Sequence, residues 1–399
     1  MKSNYEPLGK HIRLVDYRNS EEVTSTVLGI SIDKEFMPSV ANVIGTDLSR
    51  YKLISKGLFA CNPMHVGRDE RLPIALYEKD NASIVSPAYF MFEIIDRDVL
   101  NEEYLMMWFR RPEFDRECWF MTDGSVRGGI TWDDLCRIQL PVPPYERQLD
   151  VVESYRAITR RIAMKKEIND NLAKTIKAVF KSWFLDFDAF DGVELVQSQY
   201  GLIPNGWHYE LLGNLCDCVT KGTTPTTLGK DFTDTGINFI KGESINDDHS
   251  FNKTLFAHID DETDELLKRS RIYVNDIVFT IAGTLGKFAL VDSSVIPANT
   301  NQAVAIIRTS KIMPAMLYSY FIGEWQVEFY KRNTQQAVKA NLSLGTIKDL
   351  PILLPDSKGQ DHYMQLVTPL IVGMQNNFSE IERLYELQNQ LLARLSLSR

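Results

Sequence analysis

Few residues in this 399-residue chain could do chemistry, and their spacing excludes more than it permits. Val142-Pro143-Pro144-Tyr145 has the prolines and tyrosine of the Asn/Asp-Pro-Pro-Tyr/Phe segment with which adenine-N6 methyltransferases hold the target amino group. Its working position is valine, which accepts no hydrogen bond, and no Gly-rich cofactor loop with a following acidic residue accompanies it. Gly283-Thr284-Leu285-Gly286-Lys287 is two residues short of a phosphate-binding loop, and Phe288 stands where Ser or Thr would meet magnesium. It reads as a polar loop between strands over 277–281 and 288–292, with glycines and a lysine that can approach DNA closely. The six histidines, His65 among them, show no metal-ligand spacing. Cys61, Cys118, Cys136, Cys216 and Cys218 are scattered, and Cys216-x-Cys218 has the wrong spacing for a zinc knuckle or redox pair. Buried thiols are expected. Neither a catalytic residue nor a metal site follows from these residues.

A second class of residues suits recognition. Arg, Lys, Asn and Gln bond base edges bidentately or donate to them, with Ser, Thr and Tyr as shorter-range helpers. In the first part of the chain Arg68, Arg71, Ser86, Tyr89, Arg116 and Arg127 fall in predicted loops or strand ends. In the second part Lys221, Thr223, Thr224, Lys241, Lys287, Asn301, Gln302, Gln335, Gln336 and Lys339 do the same. Solvated surface is the alternative for each, and Asn301-Gln302 could equally fix a turn. Net charge is −9, which argues against a general polyanion binder. Residues 1–145 carry 17 basic and 22 acidic groups, and residues 192–357 carry 14 and 19. If the chain meets DNA, it does so through local patches, or with a partner supplying much of the phosphate neutralisation.

What would position these residues is a duplication. Tyr155, Ile158, Ile162, Lys165, Asn169, Leu172, Ile176, Val179 and Trp183 alternate three and four residues apart, the seam of a coiled-coil helix. Exactly the same register recurs 212 residues later in Val367, Leu370, Met374, Asn377, Ile381, Leu384, Gln388, Leu391 and Leu395. Thr122–Ile130 is matched by Thr334–Leu342 and Gln148 by Gln360 at that offset, while Tyr5–Gly9 is matched by Tyr209–Gly213 at an offset of 204. The expected organisation is an α+β globule over 1–145, a helix over 146–191, a second globule over 192–357 and a second helix over 358–399. Helices predicted at 101–110 and 314–323 occupy matching places. Antiparallel pairing of the two long helices, each about 55 Å at 1.5 Å per residue, would separate two similar globules by a rigid spacer. Polar Lys165 and Asn377 fall at equivalent seam positions, where buried polarity fixes register; Lys165→Leu should disturb helix pairing more than base preference. Trp183, Phe184, Phe187 and Phe190 read as a helix–domain junction, with a partner contact as the alternative. Lacking an apolar leader or a long apolar run, the chain is expected to be cytoplasmic and to use no membrane.

Particular stretches carry a family likeness. Ala178–Asp188 (AVFKSWFLDFD) and Tyr200–Trp207 (YGLIPNGW) resemble the central signature of the specificity subunits of type I restriction–modification systems. Lys221–Pro225, Asp276–Lys287 and Asn301-Gln302 look like the recognition module of that family, and Leu140–Pro143 with Glu146 and Gln148 resembles the start of its conserved helix. The second copy departs from this pattern, with Lys358 where the first has Glu146. The resemblance implies a non-catalytic subunit that binds a bipartite duplex DNA sequence, one half per module, with unspecified bases between. It implies two methyltransferase subunits as partners, with restriction and translocase subunits in a larger complex. S-adenosylmethionine, ATP and magnesium would belong to those partners, and none to this chain. The residue-level alternative is a scaffold that holds proteins, not DNA, at the two ends of a rod.

Overall fold

A computed structural model describes residues 5–40, 45–64, 66–122, 128–190, 192–328 and 343–395. The chain divides into two compact units: Met1–Ile162 with Glu382–Arg399, and Ala163–Ile381.

Unit 1 is built on two four-stranded sheets. One has the order β2 (Ile12–Leu14), β9 (Phe90–Ile94), β6 (Phe59–Cys61), β7 (Ile74–Leu76), all antiparallel. The other has the order β4 (Phe36–Pro38), β3 (Val27–Ile30), β8 (Ser83–Val85), β5 (Lys52–Ile54), with β3 and β8 parallel. Strand alternation explains why β6 and the first three residues of β9 are apolar in succession, not at every second residue. In β6 and β9, Phe59, Cys61, Phe92 and Ile94 face a core shared with the helices, while Ala60 and Met91 face the second sheet. Both faces are buried, so both registers are apolar. Helices α1 (Val66–Asp69), α2 (Glu102–Phe109), α3 (Pro112–Phe120) and α4 (Trp132–Arg137) follow. The helix expected at 101–110 is α2, started by Asn101, whose carboxamide accepts from the N–H groups of Glu103 and Tyr104. Phe59 stacks on Phe92 at 5.1 Å, and Phe109 meets both edge-on. β1 (Tyr5–Pro7) pairs with β10 (Gln139–Pro141) and closes the unit where the first long helix begins.

Unit 2 repeats this plan. β14 (Cys216–Lys221), β20 (Val304–Thr309), β17 (Ile277–Thr280) and β18 (Phe288–Leu290) form the antiparallel sheet in the order of β2-β9-β6-β7. β16 (Ala257–Ile259), β15 (Ile237–Ile240) and β19 (Ala298–Thr300) form the second, again with one parallel pair, β15 and β19. β13 (His208–Leu211) pairs with β21 (Pro351–Leu354) as β1 does with β10. The unit adds a hairpin of β11 (Leu195–Ser198) and β12 (Gly201–Pro204), and short helices α6 (Leu212–Leu215), α7 (Asp261–Leu266) and α9 (Leu344–Lys348). Helix α8 (Pro314–Ile322) fills the place of α2.

Two long helices, α5 (Tyr145–Phe184) and α10 (Ser357–Arg394), complete the chain. All nine seam positions of each are buried or half-buried. Gln148 donates to the carbonyl of Pro143, and Gln360 to that of Pro355, so the same side chain stitches each helix to the proline turn before it. Within unit 1, Gln388 donates to the Thr159 hydroxyl, and Val152, Leu392 and Leu395 join the domain core. Within unit 2, Lys165 meets Asn377 and Glu380, Asn169 donates to the Met374 carbonyl, and Trp183 packs on Tyr363. Rising numbers on one helix meet falling numbers on the other, so the two run antiparallel there.

Two sequence expectations change. Lys165 is only half-buried: its ammonium sits between the Asn377 amide oxygen at 2.9 Å and the Glu380 carboxylate at 2.8 Å, so the fully buried polar groups of the layer are Asn169 and Asn377. Only Cys61 and Cys118 are buried thiols; Cys136, Cys216 and Cys218 are partly exposed because they lie on outer or end segments.

Candidate nucleic-acid interface

In unit 2 the sheet ends gather four loops. Pairing of Ile240 with Thr300 places Lys241 and Asn301 one residue beyond matched ends of the parallel strands, and the Thr300 hydroxyl donates to the Ile240 carbonyl. The Gly222 N–H donates to the Asn301 carbonyl, joining the loop after β14 to the loop after β19. A Cβ on Gly222 would lie 1.7 Å from the Thr300 carbonyl oxygen, so no other residue allows this approach. Gly222→Ala should therefore cost more than about 2 kcal/mol in unit 2 and abolish duplex binding by the assembled complex; thermal unfolding and a mobility shift check it.

Around this junction the side chains nominated from sequence sort by partner. Lys221 is exposed at the end of β14, and Thr224 donates to the Gln302 amide oxygen at 2.6 Å. Asn301 accepts the Ala303 N–H at 3.0 Å, so its carbonyl side holds the turn while its amide nitrogen stays a donor. Lys241 lies 4.7 Å over the Phe232 ring. Ile281 donates to the Ala303 carbonyl and brings in the loop 281–287. This Gly-rich loop joins two antiparallel strands, with Gly283 and Gly286 at φ +75° and +85°, and opens no helix, so it lacks the N-terminus that holds a phosphate. Lys287 at its end pairs with Asp247 at 3.1 Å. Thr223 is half-buried in the same junction.

Unit 1 carries the counterpart on equivalent loops. Ser86 follows β8 as Asn301 follows β19, accepts the Ala88 N–H, and its carbonyl takes the Tyr89 N–H. Arg71, between α1 and β7, pairs with Asp33 at 3.3 Å. Arg68 binds Asp69 through two nitrogens, and Arg116 reaches Glu113 at 3.5 Å. Every basic residue nominated in the described part of unit 1 thus has its own carboxylate. Arg127, Gln335, Gln336 and Lys339 lie outside the described residues, as does His65. Sequence reasoning missed Asp33 and Asp247, and also Trp119 and Phe120, which end α3 at 42% and 87% exposure beside Arg116. Only their exposure marks the aromatics; an amphipathic helix pattern gave no reason to separate them from core.

The near-miss motifs are structural. Val142 packs against the unit 1 core, and Pro144-Tyr145 starts α5. Trp183 and Phe184 are buried against Trp207, Tyr320 and Tyr363, with Phe187 and Phe190 half-buried on Trp207. Among the described residues no group of three or more His, Cys, Asp or Glu could hold a metal, and no helix is long and apolar enough to cross a membrane.

Comparison with known proteins finds one family. A family described as "Type I restriction modification DNA specificity domain" matches residues 204–382. The chain is similar to the type I specificity subunits. It is 23% identical over 308 residues to the type I restriction enzyme MjaIX specificity subunit of Methanocaldococcus jannaschii, covering 76% of this chain and 70% of that one. It is 22% identical over 381 residues to the HindI specificity subunit of Haemophilus influenzae, covering 79% and 78%. In fold it is similar to the crystal structure of the type I system S subunit from M. genitalium, at a TM-score of 0.51 and 14% identity over 99% and 96% of the two chains. The matched residues 204–382 contain the whole junction of Lys221, Lys241, Lys287 and Asn301.

Proposed function

We propose that this chain is a specificity subunit that reads a bipartite duplex target, one half per unit, and that α5 and α10 pair along their length as the antiparallel coiled coil that sets the gap. The observation that carries this reading is the repeated strand order. Both units present the ends of the same two sheets, with one parallel strand pair each, and both place basic and amide side chains on the loops beyond them. Two similar readers at a fixed separation suit half-sites spaced along a duplex.

The subunit is proposed to be non-catalytic. The absence of a hydrogen-bond acceptor at Val142 and the strand-to-strand geometry of the 281–287 loop both favour this, because neither segment can hold a target amine or a triphosphate. Two adenine-N6 methyltransferase subunits would supply the flipped-base chemistry with S-adenosylmethionine. Restriction and translocase subunits would bring ATP and magnesium in the larger, cytoplasmic assembly. Burial of Trp183 and Phe184 removes them from the docking surface for these partners.

The test is base-resolved methylation of DNA from cells expressing this chain with its neighbouring methyltransferase. Two short specific blocks with a fixed gap, methylated once on each strand, are expected. Affinity of the assembled complex should fall steeply with salt. A stable complex that methylates nothing would instead favour the scaffold reading, which the acidic net charge supports.

A further inference from the structure

Each unit holds a five-residue turn of the same build in the interval after its first parallel strand. In unit 1 it is Ser31–Glu35, where the Ser31 N–H donates to the Glu35 carbonyl and the Lys34 N–H to the Ser31 carbonyl. In unit 2 it is Asn246–Ser250, with Asn246 donating to Ser250 and His249 to Asn246 in the same way. The fourth residue is left-handed in both, Lys34 at φ +66° and His249 at +69°, although neither is glycine. Such a backbone persists only where surroundings hold it. Lys34 is held by the Asp115 carboxylate at 2.6 Å and the Leu72 carbonyl at 3.1 Å, and His249 by stacking on Phe288 at 4.1 Å. The two anchors differ in chemistry and share a result. Each leaves one aspartate of the loop outward, Asp33 at the third position with 76% side-chain exposure and Asp247 at the second with 89%.

Each aspartate also meets a basic residue nominated from sequence, Arg71 at 3.3 Å and Lys287 at 3.1 Å, on the loop that joins the equivalent strands. Lys287 is only 20% exposed, so Asp247 is the outer member of its pair. An acid at the outer edge of a DNA-reading surface is repelled by phosphate unless it has a base to bond. Partial neutralisation by the cation beneath lets it approach. An acceptor beside a donor is complementary to the major-groove edge of one base pair, C·G, where the cytosine N4 amine donates and guanine O6 and N7 accept. Adenine fits less well, because its N7 acceptor lies next to N6 and repels the second carboxylate oxygen.

We propose that Asp33 with Arg71, and Asp247 with Lys287, each read one C·G pair, one in each half-site. Asp33 and Asp247 accept from cytosine N4, and Arg71 and Lys287 donate to the paired guanine. This rests on the bipartite reading above and adds specificity-determining residues to it.

The experiment compares methylation motifs, base by base, in cells making the methyltransferase with the wild-type chain, Asp33→Ala or Asp247→Ala. Each wild-type half-site should contain a required C·G pair. Asp33→Ala should relax that pair in one half-site about ten-fold or more, and Asp247→Ala in the other, with the gap unchanged. Asp247→Asn should shift preference at its position toward adenine, since a carboxamide bonds adenine N6 and N7 together. Co-purification of the methyltransferase with each variant reports that the complex is intact. A wild-type bipartite motif that survives both alanine variants unchanged, or relaxes in both half-sites with either one, overturns the proposal and leaves the bipartite reading standing. A wild-type chain that yields no bipartite motif overturns both.

Discussion

Asp115→Ala should destabilise unit 1 by about 3–5 kcal/mol, because it strands a buried ammonium. Lys34 has a side chain only 4% exposed, and Asp115 is 11% exposed. Burial pushes the Lys34 pKa down, and the Asp115 carboxylate opposes that shift. Without Asp115 the Leu72 carbonyl and the Phe114 ring at 5.0 Å remain beside the charge, and the Leu72 N–H loses its acceptor too. The deficit should depend on pH. With the folded-state pKa of Lys34 held below its unfolded value of about 10.4, the penalty is complete below the folded pKa and fades as pH rises toward 10. Denaturant unfolding of variant and wild type at pH 7 and pH 9.5 measures this, and a pH-independent difference would place the loss elsewhere. Lys34→Met with Asp115→Leu should recover most of the stability, since apolar replacements of a buried ion pair are often neutral. That double variant separates stability from reading. Its turn 31–35 has lost the polar anchor, so recognition of one half-site should weaken although the unit is folded.

The contrast between these two turns and the long helices shows what kind of information the sequence carries. The seam was legible because every third or fourth residue obeys one rule over nine positions, and each is buried or half-buried. The strands were legible as apolar runs, and their order in the sheets was not, because β6 and β9 bury both faces and leave no alternation to assign a side. Asp33 and Asp247 were invisible for a different reason. Their orientation depends on a left-handed Lys34 or His249, and non-glycine residues in that conformation follow from tertiary contacts with Asp115 or Phe288, far off in sequence. The two turns even place these aspartates differently, third in Ser-Ile-Asp-Lys-Glu and second in Asn-Asp-Asp-His-Ser. Asn301 shows the opposite case: the residue was found, and its bond to the Ala303 N–H gives it the turn-fixing part that a strand-end Asn often takes.

Insertion of one heptad into both long helices, after Asp170 and after Gly373, should lengthen the unspecified gap by about 3 base pairs. Seven residues add about 10.5 Å at 1.5 Å each, and duplex DNA rises about 3.4 Å per base pair. These positions face each other in unit 2: Asn169 bonds the Met374 carbonyl, and Leu172 lies against Gly373. A heptad nearly preserves the phase of the seam, with a drift of about 20°, so the polar layer of Lys165, Asn169 and Asn377 keeps its partners. Both blocks of the methylated motif should be unchanged and only their separation should move. Insertion in one helix alone should instead abolish methylation, because the Asn169–Asn377 bond at 2.7 Å and the seam beyond it cannot both stay in register. Lys165→Leu is the milder counterpart. It removes the contacts to Asn377 and Glu380 from a half-buried position, so it should loosen register and blur the gap while the blocks persist. A motif whose blocks change while its gap holds would mean that the helices do not act as the spacer, and that the distance between readers is fixed by something other than the coiled coil.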